Sequence, residues 1–345
     1  MIAATSLPGQ TKALHWQQAL ADAITDPTEL CSVLGLDPAL IEPACAAAGK
    51  FPLRVPRGYV ARMRHGDPRD PLLLQVLPGA AELVSTPNFS TDPVGDLGSS
   101  AAPGLLHKYA GRALVVATGA CAVHCRYCFR RHFPYSEQSA LRQGWAPVFE
   151  RLQADPSIHE VILSGGDPLS LSDRRLAQFT DELRTVRHVR RLRIHTRYPI
   201  VLPERVDAGL LKWLAGVPLQ KVVVIHANHA SEIDEQVRRA CADLATAGAT
   251  LLNQSVLLAG INDSAATLAQ LSESLFAARV LPYYLHLLDK VEGAAHFDVD
   301  ERRAFQLHRE LTARLPGYLV PRLVREIAGA PAKTAMLDLQ QRSGE

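Results

Sequence analysis

From residue 113 onward the chain alternates two hydrophobic patterns: short apolar runs of five to seven residues, and longer stretches whose apolar positions recur every three or four residues. The short runs predict strands at 113–118, 160–164, 191–195, 221–226, 250–256 and 280–286, and the stretches between them predict amphipathic helices. One stretch places Leu176, Phe179, Leu183 and Val186 on a single helical face; another opens on Ser231 and Asp234, close to a capping box, and ends before Gly248. Six strand–helix units in series imply a parallel sheet with right-handed crossovers, so the expected fold is α/β, an incomplete (β/α)6 barrel. In such sheets the chemistry gathers at the C-terminal ends of the strands. Polar clusters fall there: Gly165-Gly166-Asp167, His195-Thr196-Arg197, residues 226–229, Gln254-Ser255 and residues 286–289.

The first half reads differently. Leu14, Trp16, Leu20 and Ile24 suggest one helix, and residues 39–48 a second, whereas 51–104 carries eight prolines and predicts an irregular connector. Three parts follow: a helical and proline-rich extension over 1–104, the barrel over 105–315, and a C-terminal segment over 316–345.

Composition narrows the class. With 47% hydrophobic and 21% charged residues over 345 positions, the chain has the make-up of a globular enzyme. A net charge of +2 gives no reason to expect nucleic acid, and neither a leader-type start nor a membrane-length apolar run is present, so a cytoplasmic protein is expected. Six cysteines, three of them scattered (Cys31, Cys45, Cys241), fit a reducing compartment better than a disulfide framework. Cys241 falls on an apolar helix face with Ile233, Val237 and Leu244 and reads as core.

The other three, Cys121, Cys125 and Cys128, stand in Cys-x3-Cys-x2-Cys spacing with Tyr127 before the last. Iron–sulfur cubanes take four thiolates, so a lone triplet leaves one iron open to a small molecule. Zinc with His124 or His132 as a fourth ligand, or buried structural thiols, are the alternatives. The triplet resembles that of the radical S-adenosylmethionine (SAM) superfamily, and Gly165-Gly166-Asp167 resembles its glycine-glycine-acid turn. The resemblance implies a [4Fe–4S] cluster on the three cysteines and SAM held near Gly165, Gly166, Asp167, His226 and Gln254. Without it, the glycine turn is an ordinary strand end, and the polar residues are satisfied within the barrel mouth.

The runs 105–112, 128–131, 253–258 and 282–284 sharpen the resemblance to the lysine 2,3-aminomutase family, covering 58–337. That family adds pyridoxal 5'-phosphate (PLP). The resemblance implies PLP on Lys333, with Lys108, Tyr109 and Arg112 near the cofactor and Arg112 as phosphate contact. Arg130 would hold the carboxylate of the substrate lysine, and Asp289 and Glu326 its distal ammonium. Otherwise Asp289 pairs with Lys290, and Glu326 with Arg322 or Arg325, on the surface. Three departures stand out: the glycine-rich run before the PLP lysine is reduced to Gly329-Ala330-Pro331-Ala332, Lys108 replaces arginine, and Glu326 replaces aspartate.

Residues 121–135 and 286–297 most resemble the branch that makes (R)-β-lysine for elongation factor P, which a separate lysine ligase attaches. An external reductant such as flavodoxin or ferredoxin is then expected. Rival expectations are a catabolic lysine or a glutamate 2,3-aminomutase, or a non-catalytic iron–sulfur binding or electron-transfer protein. Catabolic members extend beyond the PLP lysine, whereas Glu345 lies twelve residues past Lys333.

Overall fold

In the computed structural model, which describes residues 15–138, 140 and 144–336, each of the six apolar runs is a strand. Among the described residues, ten strands form one mixed sheet whose spatial order is the chain order: β1 (Ser100–Ala102), β2 (Leu105–Tyr109), β3 (Arg112–Thr118), β4 (Glu160–Gly165), β5 (Arg191–Thr196), β6 (Gln220–Ile225), β7 (Ala249–Val256), β8 (Leu281–His286), β9 (Arg322–Arg325) and β10 (Thr334–Ala335). The steps from β3 to β9 are all parallel, and β1–β2, β2–β3 and β9–β10 are antiparallel. The sheet is therefore the expected partial barrel, extended by strands that the apolar runs did not announce. β2 and β10 are too short and too polar to stand out by period, and pairing with a neighbour defines them.

The sheet curls until its two ends meet through side chains. Tyr109, at the end of β2, donates its hydroxyl to Glu326 Oε1 at 2.7 Å, one residue past β9. Helices cover the outer face, and the apolar residues of β3 to β7 that point toward them, away from the cavity, among them Val115, Leu163, Ile194, Val223 and Leu251, join the main core. Short polar side chains start the crossover helices: Asp207 accepts from Leu210 N, Asp234 from Val237 N and Ser264 from Thr267 N. The helix after β6 thus begins at Asp234 alone, because Ser231 sits in a separate short turn over Ala230–Glu232. Leu176, Phe179 and Leu183 are buried along the helix Asp173–Leu183, and Cys241 is core as expected.

The N-terminal helices differ from expectation. Helix Trp16–Ala21 ends before Ile24, which instead bridges Val55; Leu14 lies outside the described residues. The expected second helix is Ile41–Lys50, and a further one, Pro27–Leu34, starts on an Asp26 cap with proline in its first turn and ends at Gly35 with φ +60°. Residues 51–104 wrap the barrel mouth in turns, as their prolines imply. Among the described residues no helix is long and apolar enough to cross a membrane.

Candidate active site

The C-terminal ends of the parallel strands open into one cavity of about 480 Å³, and all the candidate site residues line it. The cysteine loop follows β3 and the glycine turn follows β4. Lys333 arrives from the opposite edge, just before β10.

The cysteine loop is fixed by its backbone and by a buried charge cluster. Arg126 N donates to Gln75 O at 2.9 Å, and Cys128 N to Cys125 O at 3.0 Å. Between Cys125 and Cys128, Arg126 is fully buried and donates Nε and Nη2 to Glu82 at 2.8 and 2.6 Å; Arg131 adds a third bond to Glu82 at 2.7 Å. Burial pushes the Cys121 thiol well up and the Cys128 thiol to about 11, so these sulfurs become thiolates only beside compensating positive charge. Iron supplies such charge. The two histidines considered for zinc are already engaged, His124 Nδ1 with Pro52 O at 2.9 Å and His132 Nε2 with Glu292 O at 3.2 Å. Among the described residues no three His, Cys, Asp or Glu side chains converge as one bound ion requires; a cubane distributes its thiolates over separate irons.

The glycine turn packs directly on this loop. A Cβ on Gly165, whose φ is +116°, would stand 2.6 Å from Thr118 O, and one on Gly166 would stand 2.5 Å from Ala120 O. Close backbone approach thus requires both glycines. The carboxylate of Asp167 turns inward, accepting from Leu169 N at 3.0 Å, Thr196 Oγ1 at 2.7 Å and Arg197 N at 2.6 Å. Burial raises its pKa to about 6 against these donors. Farther along the rim, Gln254 Oε1 is buried without a partner among the described residues, an acceptor that matches a ligand hydroxyl or ammonium. His226 stands 3.4 Å from His195, and burial takes it down to about 3, so it is a neutral ring at pH 7.

At the far side Lys333 Nζ lies 2.8 Å from Glu326 Oε2 and 3.3 Å from His286 Nε2, with the Tyr284 ring 5.7 Å away. Burial pushes His286 well below its ordinary value, which leaves it neutral beside the ammonium. Burial pushes Glu326 up, but Lys333, Tyr109 and Lys108 more than offset it and hold the carboxyl below its usual range. The surface pairings considered from sequence do not form: Lys290 faces Asp298, and Arg325 faces Glu301. Asp289 Oδ1 is sealed from solvent without a partner among the described residues, and burial raises this carboxyl to about 7. The Arg112 guanidinium stacks 4.7 Å from the Tyr109 ring and has no carboxylate partner among the described residues. Lys108, by contrast, is committed to Asp96 at 2.6 Å and Val94 O at 2.7 Å.

Arg130 is buried, donating Nε to Asp96 at 2.7 Å and Nη1 to Ser164 Oγ at 3.1 Å. Burial pushes Asp96 up, yet Arg130 and Lys108 together hold it below the ordinary carboxylate range. Nothing in the sequence marks Asp96, Glu82, Gln75 or Glu232 as site residues. The first three lie in the irregular connector, where no period marks an inward-facing position. Arg197 was visible only as one of several polar residues ending a strand.

A curled, mainly parallel sheet with three thiols at one end of its cavity and a half-buried lysine at the other is the frame of a cavity enzyme. No family model matches the chain. It is 52% identical over 328 residues to an L-lysine 2,3-aminomutase of Escherichia coli, covering 95% of each chain, and 47% identical over 320 residues to one of Haemophilus influenzae, covering 93% of this chain and 95% of that one. It is also 35% identical to an L-lysine 2,3-aminomutase of Clostridium subterminale, over 81% of this chain and 67% of the relative. Among solved structures, a radical SAM methyltransferase from Sphaerobacter thermophilus matches with 18% identity and a TM-score of 0.45, over 64% of this chain and 68% of that one. The chain belongs to the lysine 2,3-aminomutase family. Members of this family are isomerases that work with a [4Fe–4S] cluster, SAM and PLP.

Proposed function

We propose that this enzyme converts L-lysine to (R)-β-lysine for attachment to elongation factor P, with each site residue in the role the resemblance assigns it. The observation that carries this reading is the charge layout of one cavity: the buried cation Arg130 on one wall and, on another, the partnerless Asp289 Oδ1 near Glu326. An amino acid with a second, distal ammonium matches both walls. Glutamate would set a third carboxylate against the acidic pair, which disfavours the glutamate rival. The elongation factor P branch rests on the resemblance of residues 121–135 and 286–297.

Cys121, Cys125 and Cys128 would hold the cluster, and Gly165, Gly166, His226 and Gln254 would border SAM. Lys333 would carry PLP, with Arg112 on the phosphate and Tyr109 beside the ring. When bound, these groups supply the radical and the electron sink that move an amino group between adjacent carbons. The chain's own task is placement. Asp96 and Ser164 fix the Arg130 fork so that it meets a carboxylate in one orientation. Neutral His286 accepts from Lys333 without adding charge, and burial of the strand ends keeps water from a reactive centre.

The test is anaerobic incubation of the reconstituted protein with SAM, dithionite and L-lysine, followed by chiral mass spectrometry. (R)-β-Lysine, made faster than any product from ornithine or glutamate, is expected. No lysine turnover by protein loaded with cluster and PLP overturns the reading. Transfer of that product to elongation factor P by the ligase, tested separately, checks the physiological role.

A further inference from the structure

We propose that Arg197 is a positioning residue for the iron–sulfur site: its guanidinium donates an N–H to Cys125 Sγ and holds the cluster's reduction potential above the value it takes without that donor. The inference rests on the cluster assignment just made and adds a residue that assignment does not contain.

Arg197 follows β5 and is 5% exposed. Its Nη1 lies 2.7 Å from Cys125 Sγ. Its Nη2 donates to Gln75 Oε1 at 2.6 Å, Glu232 Oε2 at 3.1 Å and Tyr59 Oη at 3.3 Å. The group cannot swing away, because its backbone N is tied to Asp167 and the Tyr59 and Tyr127 rings flank the guanidinium at 5.7 and 5.6 Å. Its partners are fixed in turn. Glu232 is fully buried and also accepts from Asn228 N at 2.8 Å and His229 N at 3.1 Å; Gln75 Nε2 reaches Glu232 Oε1 at 3.1 Å. Among the described residues neither Cys121 nor Cys128 receives a side-chain hydrogen bond of this kind.

A buried arginine–carboxylate pair contributes little net stability, so stability alone does not account for a cation kept at this sulfur. Reduction adds one negative charge to a cluster, and a cationic N–H on a ligand sulfur stabilises that state preferentially. Glu232 acts with the opposite sign, because its carboxylate cancels part of the arginine's field. The arrangement also gives Asp167 a purpose: its carboxylate anchors Arg197 N, linking the glycine turn to the cluster ligand.

The test uses the full chain, reconstituted anaerobically, with iron and sulfide counted and the cluster titrated by electron paramagnetic resonance without SAM. Arg197→Met should load its cluster and, at the parent midpoint, show a reduced-to-oxidised ratio about tenfold lower, a negative shift of about 59 mV for a one-electron couple. Glu232→Gln should shift the midpoint the other way. A merely structural role would not give opposite signs. A loaded Arg197→Met with the parent midpoint, or two variants moving in the same direction, overturns the proposal. Should Arg197→Met lose iron, Arg197→Gln repeats the test with a neutral donor; should that also fail to load, an unchanged or negative shift in Glu232→Gln alone is decisive against it. Failure of the underlying cluster assignment looks different, since the parent protein itself would then show no [4Fe–4S] signal.

Discussion

The barrel strands and the connector over 51–104 differ in almost every respect, and the site needs both. The strands are regular, apolar and legible by period, and they present loop ends to one cavity. The connector has almost no regular structure, yet it supplies the counter-charges to the arginines of the cysteine loop: Glu82 meets Arg126 and Arg131, and Asp96 meets Arg130. It also contributes Gln75 and Tyr59 to the cage around Arg197. A frame made of hydrophobic periodicity thus leaves the electrostatics to a segment without periodicity.

The largest effects should come from residues that either region merely positions. Replacing Cys121, Cys125 and Cys128 with alanine should bring iron and sulfide near zero while circular dichroism stays that of the parent, because thiolate ligation is local to one loop. Lys333→Ala should abolish the borohydride-reducible PLP adduct with iron unchanged. An adduct that survives on another lysine would show that the C-terminal segment does not carry the cofactor.

The comparison itself is tested by matching one residue from each region. Leu163, on β4, is 1% exposed, and Leu163→Ala should cost about 2–5 kcal/mol of stability. Glu82 lies in a segment that looks dispensable, but Glu82→Ala would leave two buried guanidinium groups without their carboxylate, a loss on the order of 3–5 kcal/mol. Chemical denaturation should therefore rank the two variants alike. A Glu82→Ala protein as stable as its parent would mean that the connector is a wrapper rather than a part of the site.

This difference also explains what could be read from the sequence. The six parallel strands and the helix face of Leu176, Phe179 and Leu183 were visible because each buries apolar residues at a fixed period. The cysteine triplet and the glycine turn were visible because spacing is their chemistry. Ile24, one residue of an expected helix, instead bridges Val55, and Asp26 with Pro27 starts a helix that the apolar pattern did not mark. Asp96 was hidden for a physical reason: a carboxylate in a proline-rich turn looks solvated until the fold brings Arg130 and Lys108 to it.

A smaller effect separates substrate reading from cofactor loading. Asp289→Asn should leave cluster and PLP in place and lower kcat/KM for lysine roughly 10- to 100-fold, since a hydrogen bond to a charged group is worth about 1.5–3 kcal/mol. The same residue predicts a pH dependence. Burial raises the Asp289 carboxyl to about 7 in the folded chain, well above its unfolded value of roughly 3.9, so folding takes up a proton there. The stability it contributes is full below the unfolded value and is lost as pH rises through about 7. Without ligands, the melting temperature of Asp289→Asn relative to the parent should therefore climb between pH 5 and pH 8. A falling difference would mean that a protein cation already pairs with this carboxylate, and the substrate's ammonium would lose its place.

The smallest effect contrasts two glycines. Gly166, in the barrel turn, and Gly329, the one glycine left in the run before Lys333, both invite alanine substitution, but for different reasons. At Gly166 the added Cβ would stand 2.5 Å from Ala120 O and 2.7 Å from Gly119 C, so the turn must separate from the cysteine loop. At Gly329 the Cβ would meet nothing within 4 Å, and the cost comes only from φ +77°, a left-handed conformation worth about 1–2 kcal/mol for an L-residue. Gly329→Ala should thus retain PLP and most of its turnover with a slightly lower melting temperature, whereas Gly166→Ala should disturb the cluster signal. If Gly329→Ala instead empties the PLP site, Lys333 depends on backbone freedom beyond this one φ, and the loss of the family's other glycines from this segment would need a compensating change elsewhere in the chain.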